Sequence, residues 1–201
     1  MADTIKSLYS ALMPTVSSSI YAPPTGKYAV VKSIVICNRS SSDVTISLGA
    51  AGIVIIHSHT LKENGTLIIN DLDVPIIPGT IISASASSAV VALSIGGFER
   101  DYVPSEYPYV VAARSTPGSV TLNSGNDWIV KSFVITNTTS TESAVSITFD
   151  GMTLINLYKV KPYDSVILPL PKIFIKGGKV ISSAHSGSIV HFGVILEKVV
   201  Q

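Results

Sequence analysis

Four histidines, one cysteine and thirteen carboxylates are the side chains here that could do chemistry. His57-Ser58-His59 puts two imidazoles two residues apart, so on an extended strand both rings would leave the same face. Such a pair can share a metal, and a three-fold axis beside it would gather six nitrogens. The matching stretch later in the chain reads Asn156-Leu157-Tyr158 instead, and no Asp-rich loop adds ligands. His185 falls in Ser182-Ser-Ala-His-Ser-Gly187, which reads as a turn. His191 lies among Ile189, Val190 and Phe192, where a hydrogen bond within a sheet is the expected role. Cys37 ends the run Ile34-Val35-Ile36-Cys37 and reads as a small buried hydrophobe. A lone cysteine excludes an internal disulfide and a cysteine-based zinc site. Asp71 and Asp73 would share a face of extended chain, with too few oxygens around them for calcium. No Gly-x-Ser-x-Gly elbow, phosphate loop or dinucleotide fingerprint occurs. The reading is a non-enzyme with no catalytic residue, no metal beyond the His57/His59 candidate, and no cofactor.

Trp128, Tyr158 and Tyr163 are the candidates for stacking on a sugar; the competing role of a tryptophan in an apolar strand is core packing. Asn38-Arg-Ser40, Asn64-Gly-Thr66 and Asn137-Thr-Thr139 have the form of glycosylation sequons. No basic segment followed by a long apolar one opens the chain, so they read as turn chemistry and the expected place of synthesis is a cytoplasm. No apolar run approaches the ~18–20 residues that cross a bilayer, so no membrane partner is expected.

Hydrophobic residues make up 46% of the 201 and charged residues 13%, about half the usual charged share. A surface so poor in charge points to coverage by partners. Lys and Arg number 6 against 6 Asp and Glu in residues 1–100, and 8 against 7 in 101–201. Neither half carries the basic footprint of a nucleic-acid binder. Lys159, Lys161, Lys172, Lys176 and Lys179 read as solvated lysines that discourage edge pairing.

The elements that would position these residues come in duplicate. Gly26-Lys-Tyr-Ala-Val-Val-Lys-Ser33 matches Gly125-Asn-Asp-Trp-Ile-Val-Lys-Ser132 at an offset of 99. Ile34-Val-Ile-Cys-Asn38 then answers Phe133-Val-Ile-Thr-Asn137, and Val44-Thr-Ile-Ser-Leu48 answers Val145-Ser-Ile-Thr-Phe149. The order of strands and turns agrees over about 80 residues. Val44, Ile46 and Leu48 alternate with Thr45 and Ser47, the period of a half-buried strand. Turn signals recur every 8–12 residues, as in Pro23-Pro24-Thr25-Gly26, Glu63-Asn64-Gly65 and Pro78-Gly79. The fold class expected is all-β: two tandem, duplicated antiparallel β-sandwich domains of jelly-roll type.

Four segments follow. Residues 1–13 read as an N-terminal arm or short helix, because Ile5, Leu8, Leu12 and Met13 share helical spacing. Residues 14–98 form the first sandwich, 99–108 a linker stiffened by Pro104 and Pro108, and 109–201 the second sandwich.

The pattern of an apolar strand, a Pro/Gly turn, Val-Lys-Ser-Ile-Val-Ile-x-Asn, a polar turn and Val-Thr-Ile-Ser is carried by Ala22 to Leu48 and Leu122 to Phe149. It resembles small all-β virion proteins of tailed bacteriophages: tail, baseplate, fibre-anchoring or capsid-decorating components. The resemblance implies a sandwich fold and a place in the virion, most of all in the tail or head–tail junction. Its implied partners are other copies of the chain and other virion proteins, with a host glycan as the alternative through a carbohydrate-binding role. Three chains carrying two similar domains each would close a ring of pseudo-six-fold symmetry, a trimer or a hexamer being the expected assembly.

Overall fold

Alternating apolar and hydroxyl side chains turn nearly the whole chain into strands, because each strand can bury one face and wet the other. The computed structural model describes residues 5–104, 109–114, 118–121, 125–186 and 190–199, and those residues include no helix. The chain divides into two units, Met1–Tyr107 and Pro108–Gln201.

The first unit contains β1 (Lys6–Leu12), β2 (Ser18–Tyr21), β3 (Lys27–Asn38), β4 (Val44–Ala50), β5 (Ile53–Leu61), β6 (Thr66–Ile76), β7 (Ile82–Ala86) and β8 (Val91–Asp101). They form two antiparallel sheets of order β1-β8-β3-β6 and β2-β7-β4-β5. The second unit contains β9 (Tyr109–Arg114), β10 (Gly118–Thr121), β11 (Trp128–Asn137), β12 (Ser143–Phe149), β13 (Met152–Val160), β14 (Ser165–Ile175), β15 (Val180–Ser186) and β16 (Val190–Lys198). Its sheets run β9-β16-β11-β14 and β10-β15-β12-β13. Strand for strand the two orders are the same, and both are those of an eight-stranded jelly roll.

Each core fills with the inward set of the alternation. In the first unit Ile34, Ile46, Leu48, Ile55, Leu93 and Ile95 are fully buried. Burying each contributes about 1.5–3 kcal/mol. The second core is aromatic where the first is aliphatic. Phe133, Phe149 and Phe192 stand at the places of Ile34, Ala50 and Leu93, so the register sets Phe149 against Ala50 rather than Leu48 as the sequence match had it, and the Phe133 ring lies 5.7 Å from Phe149 and 5.3 Å from Phe192.

One buried amide in each unit ties its two sheets together. Asn38, at the end of β3, donates from Nδ2 to the carbonyls of Ser42 (2.8 Å), Leu61 (3.3 Å) and Lys62 (2.9 Å). Its Oδ1 accepts from the Ser40 N–H at 3.0 Å and the Ser40 hydroxyl at 2.8 Å. Asn137 repeats the set on Thr141 (2.6 Å), Val160 (3.2 Å), Lys161 (3.1 Å) and Thr139 (3.0 and 2.8 Å). Neither asparagine has any exposed surface. Two of the three sequon-like triplets are thus interior turn staples.

The backbone repeats as well. Positive φ occurs at Ala51 and Asp150, Gly52 and Gly151, Ser58 and Leu157, Asn64 and Tyr163, Gly79 and Gly178. Ala51-Gly52 and Asp150-Gly151 close the β4–β5 and β12–β13 hairpins with both central residues left-handed, the turn whose twist suits two strands.

Two sequence expectations are corrected here. Residues 6–12 are a strand rather than an arm or helix, since β1 pairs with β8 from Lys6 opposite Gly97 to Leu12 opposite Ala92. Residues 99–101 belong to β8 rather than to a linker, with Glu99 opposite Ala29 and Asp101 opposite Lys27. Residues 1–4 of the expected arm and 105–108 of the expected linker lie outside the described residues.

Two outcomes test this account. Asn137→Ala removes the two N–H donors that serve three carbonyls, and Asn137→Asp also turns a carboxylate toward those carbonyls. Urea unfolding should show a loss of about 2–4 kcal/mol for the first and more for the second. Equal losses would contradict the staple. Tyr163 holds φ of 53° where the other unit has Asn64, so Tyr163→Asn should relieve strain and add about 0.5–1 kcal/mol, read as a higher melting temperature.

Candidate functional site

The two histidines singled out as a metal pair do not present their rings together. His59 lies opposite Ile46, whose side chain is buried, while Ile56 lies opposite Leu48. Between these pairs β5 holds two residues against the single Ser47, a bulge in which Ser58 takes φ of 46° and donates its N–H to the Ser47 hydroxyl at 2.9 Å. The extra residue cancels the i, i+2 geometry of a regular strand. His59 takes the core side of the sheet. His57 lines a shallow outer depression of about 170 Å³ with Ser17, Ser47, Ser83 and Ser85. Among the described residues no group of three or more His, Cys, Asp or Glu side chains gathers to hold a metal. Asp71 and Asp73 are not extended either: both have positive φ, and Asp73 is ion-paired with Lys32.

The aromatic candidates separate. Trp128 is 5% exposed and packs in the second core, which corrects its assignment as a sugar platform. Tyr158 on β13 and Tyr163 in the turn after it are 38% and 41% exposed, and Tyr163 occupies the left-handed turn position described above. His185 is in β15, not in a turn. It stands opposite Val145, at the place of Ala86 in the first unit, with both ring nitrogens shielded from solvent.

A polar cluster that the sequence did not disclose joins three strands of the first unit. Glu99 on β8 accepts the Lys6 ammonium of β1 at 2.5 Å and the Tyr21 hydroxyl of β2 at 2.8 Å. Burial acts to raise the Glu99 carboxyl, yet the hydrogen bonds from Lys6 and Tyr21 outweigh it and hold the carboxyl below its ordinary value. Burial, then the bond to Glu99 and its charge, push the Tyr21 phenol well above its own. A catalytic acid or base needs a pKa near working pH. Here both groups move away from neutrality, one fixed as an anion and the other as a donor, so the cluster is a clamp.

The surfaces that stand out are apolar. On β13, the edge strand of its sheet, Met152 (63%), Leu154 (38%) and Leu157 (64%) are exposed beside Tyr158. Lys159, the one charge on the strand, is paired with Glu142 at 2.9 Å. On the outer face of the β1-β8-β3-β6 sheet, Ser10, Ser94, Val35 and Ile68 lie side by side, as do Leu12, Ala92, Cys37 and Thr66. These two rows hold no charge, and Leu12, Val35 and Ile68 are exposed within them. Arg39 stands at the margin of the 320 Å³ depression that Leu12, Val35 and Cys37 line.

No family model matches the chain, and no curated protein is similar to it. Solved structures offer weak likenesses. The major capsid protein P2 from bacteriophage PM2 aligns at 10% identity over 100% of this chain and 99% of that one, with a TM-score of 0.36. The STIV MCP follows at 12% identity, 99% and 97% coverage and a TM-score of 0.32. A conserved protein of unknown function from Pseudomonas aeruginosa PAO1 gives 10% identity, 98% and 100% coverage and a TM-score of 0.29. The strand order given above defines the jelly roll.

The clamp gives a pH prediction. A carboxylate whose folded pKa is lowered contributes stability above its unfolded pKa, and that contribution disappears as pH falls through the folded value. Wild type should therefore lose more stability than Glu99→Gln on going from about pH 5 to about pH 3, measured by urea unfolding. Parallel losses in the two proteins would show that Glu99 is not held as an anion.

Proposed function

We propose that this chain is a non-enzymatic structural subunit of a virion, built to assemble with itself. The observation that carries the proposal is the repeated jelly roll within a chain whose exposed face and edge are apolar and nearly charge-free. A surface of this kind gains by being covered, because packed neighbours meet neither like-charge repulsion nor the cost of stripping water from ions. Three chains would place six like-folded units around one axis, and that pseudo-six-fold ring suits a tail or a head–tail junction. The sequence resemblance to tailed-phage virion proteins supports the same role. The polar groups described above serve folding: Asn38 and Asn137 as staples, Glu99 as a clamp, Trp128 as core.

Native mass spectrometry and sedimentation at rising concentration test this. Species of three chains, or of six, are expected, and gold-labelled protein should sit on a tail or its junction in intact particles. A chain that stays monomeric at high concentration would refute the assembly role.

A further inference from the structure

We infer that the interior of the second unit binds an ordered water at a site built by Ser143, Ser183 and His185. The site lies inside one unit, so the inference goes beyond the assembly role and stands without it.

Strand pairing brings the three side chains together. Ser143, Val145 and Ile147 belong to the inward set of β12. On β15 the inward row runs Ile181, Ser183, His185, with Ser183 opposite Ile147 and His185 opposite Val145. Side chains two apart on a strand share a face, and a diagonal pair on neighbouring strands stays within reach of a long side chain. His185 is therefore neighbour to both serines, to Ser183 along its own strand and to Ser143 across the diagonal. Ser143 also stands opposite Val160, whose carbonyl accepts from Asn137, so the site adjoins the staple.

The hydrogen-bonding capacity of this group is unmet. Ser143 has no exposed surface and Ser183 is 5% exposed. Neither hydroxyl has a hydrogen-bond partner, nor has either ring nitrogen of His185, and all four atoms are shielded from solvent. Polar groups stripped of water and left alone are costly, and buried ones are accordingly found bound to something. The fold itself does not call for them. Val44, Ala84 and Ala86 hold the same three places in the first unit, all buried and all apolar.

The donor set selects water as the ligand. A neutral imidazole has one N–H and one acceptor nitrogen, and each hydroxyl can both donate and accept. A buried water needs two to four polar partners of this mixed kind. One water can accept from one serine hydroxyl and donate to the other and to the bare ring nitrogen. A metal ion would demand more ligands, or more strongly charged ones, than two hydroxyls and one imidazole.

Oxygen-17 magnetic relaxation dispersion on the full chain counts long-lived internal waters and so reads the site directly. Ser143→Val, Ser183→Ala and His185→Ala together install the residues of the first unit, and this triple variant should show fewer long-lived waters than wild type. Ser183→Ala alone is the second arm and asks for no refitting of the core. If the hydroxyl holds water, its loss should raise the unfolding equilibrium constant in urea about two- to tenfold. If the hydroxyl has no partner, the alanine variant should be more stable than wild type, which would overturn the inference. An unchanged water count in a folded triple variant would overturn it as well. A high-resolution crystal structure should place one water within hydrogen-bond distance of both serine oxygens and a ring nitrogen; a His185 ring turned out to solvent would be equally fatal.

Discussion

Each jelly roll depends on an amide with no access to water. Asn38 and Asn137 close the same end of their sandwiches, where a strand of one sheet finishes and two connections of the other sheet pass by. Carbonyls in these connections cannot reach partners along a ladder, and a buried carbonyl left alone costs about 1–3 kcal/mol. A planar amide with two donors and one acceptor meets the demand at once, whereas a hydroxyl or carboxylate cannot. In the first unit Asp43 adds an outer brace, accepting Lys62 at 2.7 Å and the Glu63 N–H at 3.1 Å. With that end fixed, the inward alternation of β3, β4 and β5 has one register in which to stack.

Much of this was legible in the residues. The 99-residue offset survives in core positions, in hairpin turns and in both asparagines, because each of those positions is dictated by burial or by backbone conformation. Other features were hidden for stateable reasons. In β1 the apolar residues Ile5, Leu8, Leu12 and Met13 fit a helical stripe, and only pairing to β8 decides the matter. Glu99, Arg100 and Asp101 look like a solvated connection until Lys6, Tyr21 and Lys27 are seen across the strands.

The candidate site was less legible than the fold. A two-residue spacing gives a shared face only on a regular strand, and the bulge at Ser58 lies in the way. Nothing in His-Ser-His announces that bulge; its closest signal is Ser47, whose equivalent Ser146 accepts the Leu157 N–H at 3.0 Å in the second unit. Trp128 reads from sequence more readily as core than as platform, because it stands in an apolar strand, and the structure buries it as it buries Ala29 at the same place in the first unit.

Aliphatic packing in one core and phenyl packing in the other has a bearing on how the nascent chain sorts itself. Tandem modules of the same fold invite strand exchange while both are still open, a recognised route to misassembly in multidomain chains. Here an exchanged β11 would push Phe133 into a slot shaped for Ile34, and overfilling of that sort costs about 1–3 kcal/mol. The reciprocal swap would leave a void beside Phe149 and Phe192. Divergence at a handful of interior places thus works as an address label, letting each half recognise its own strands during synthesis.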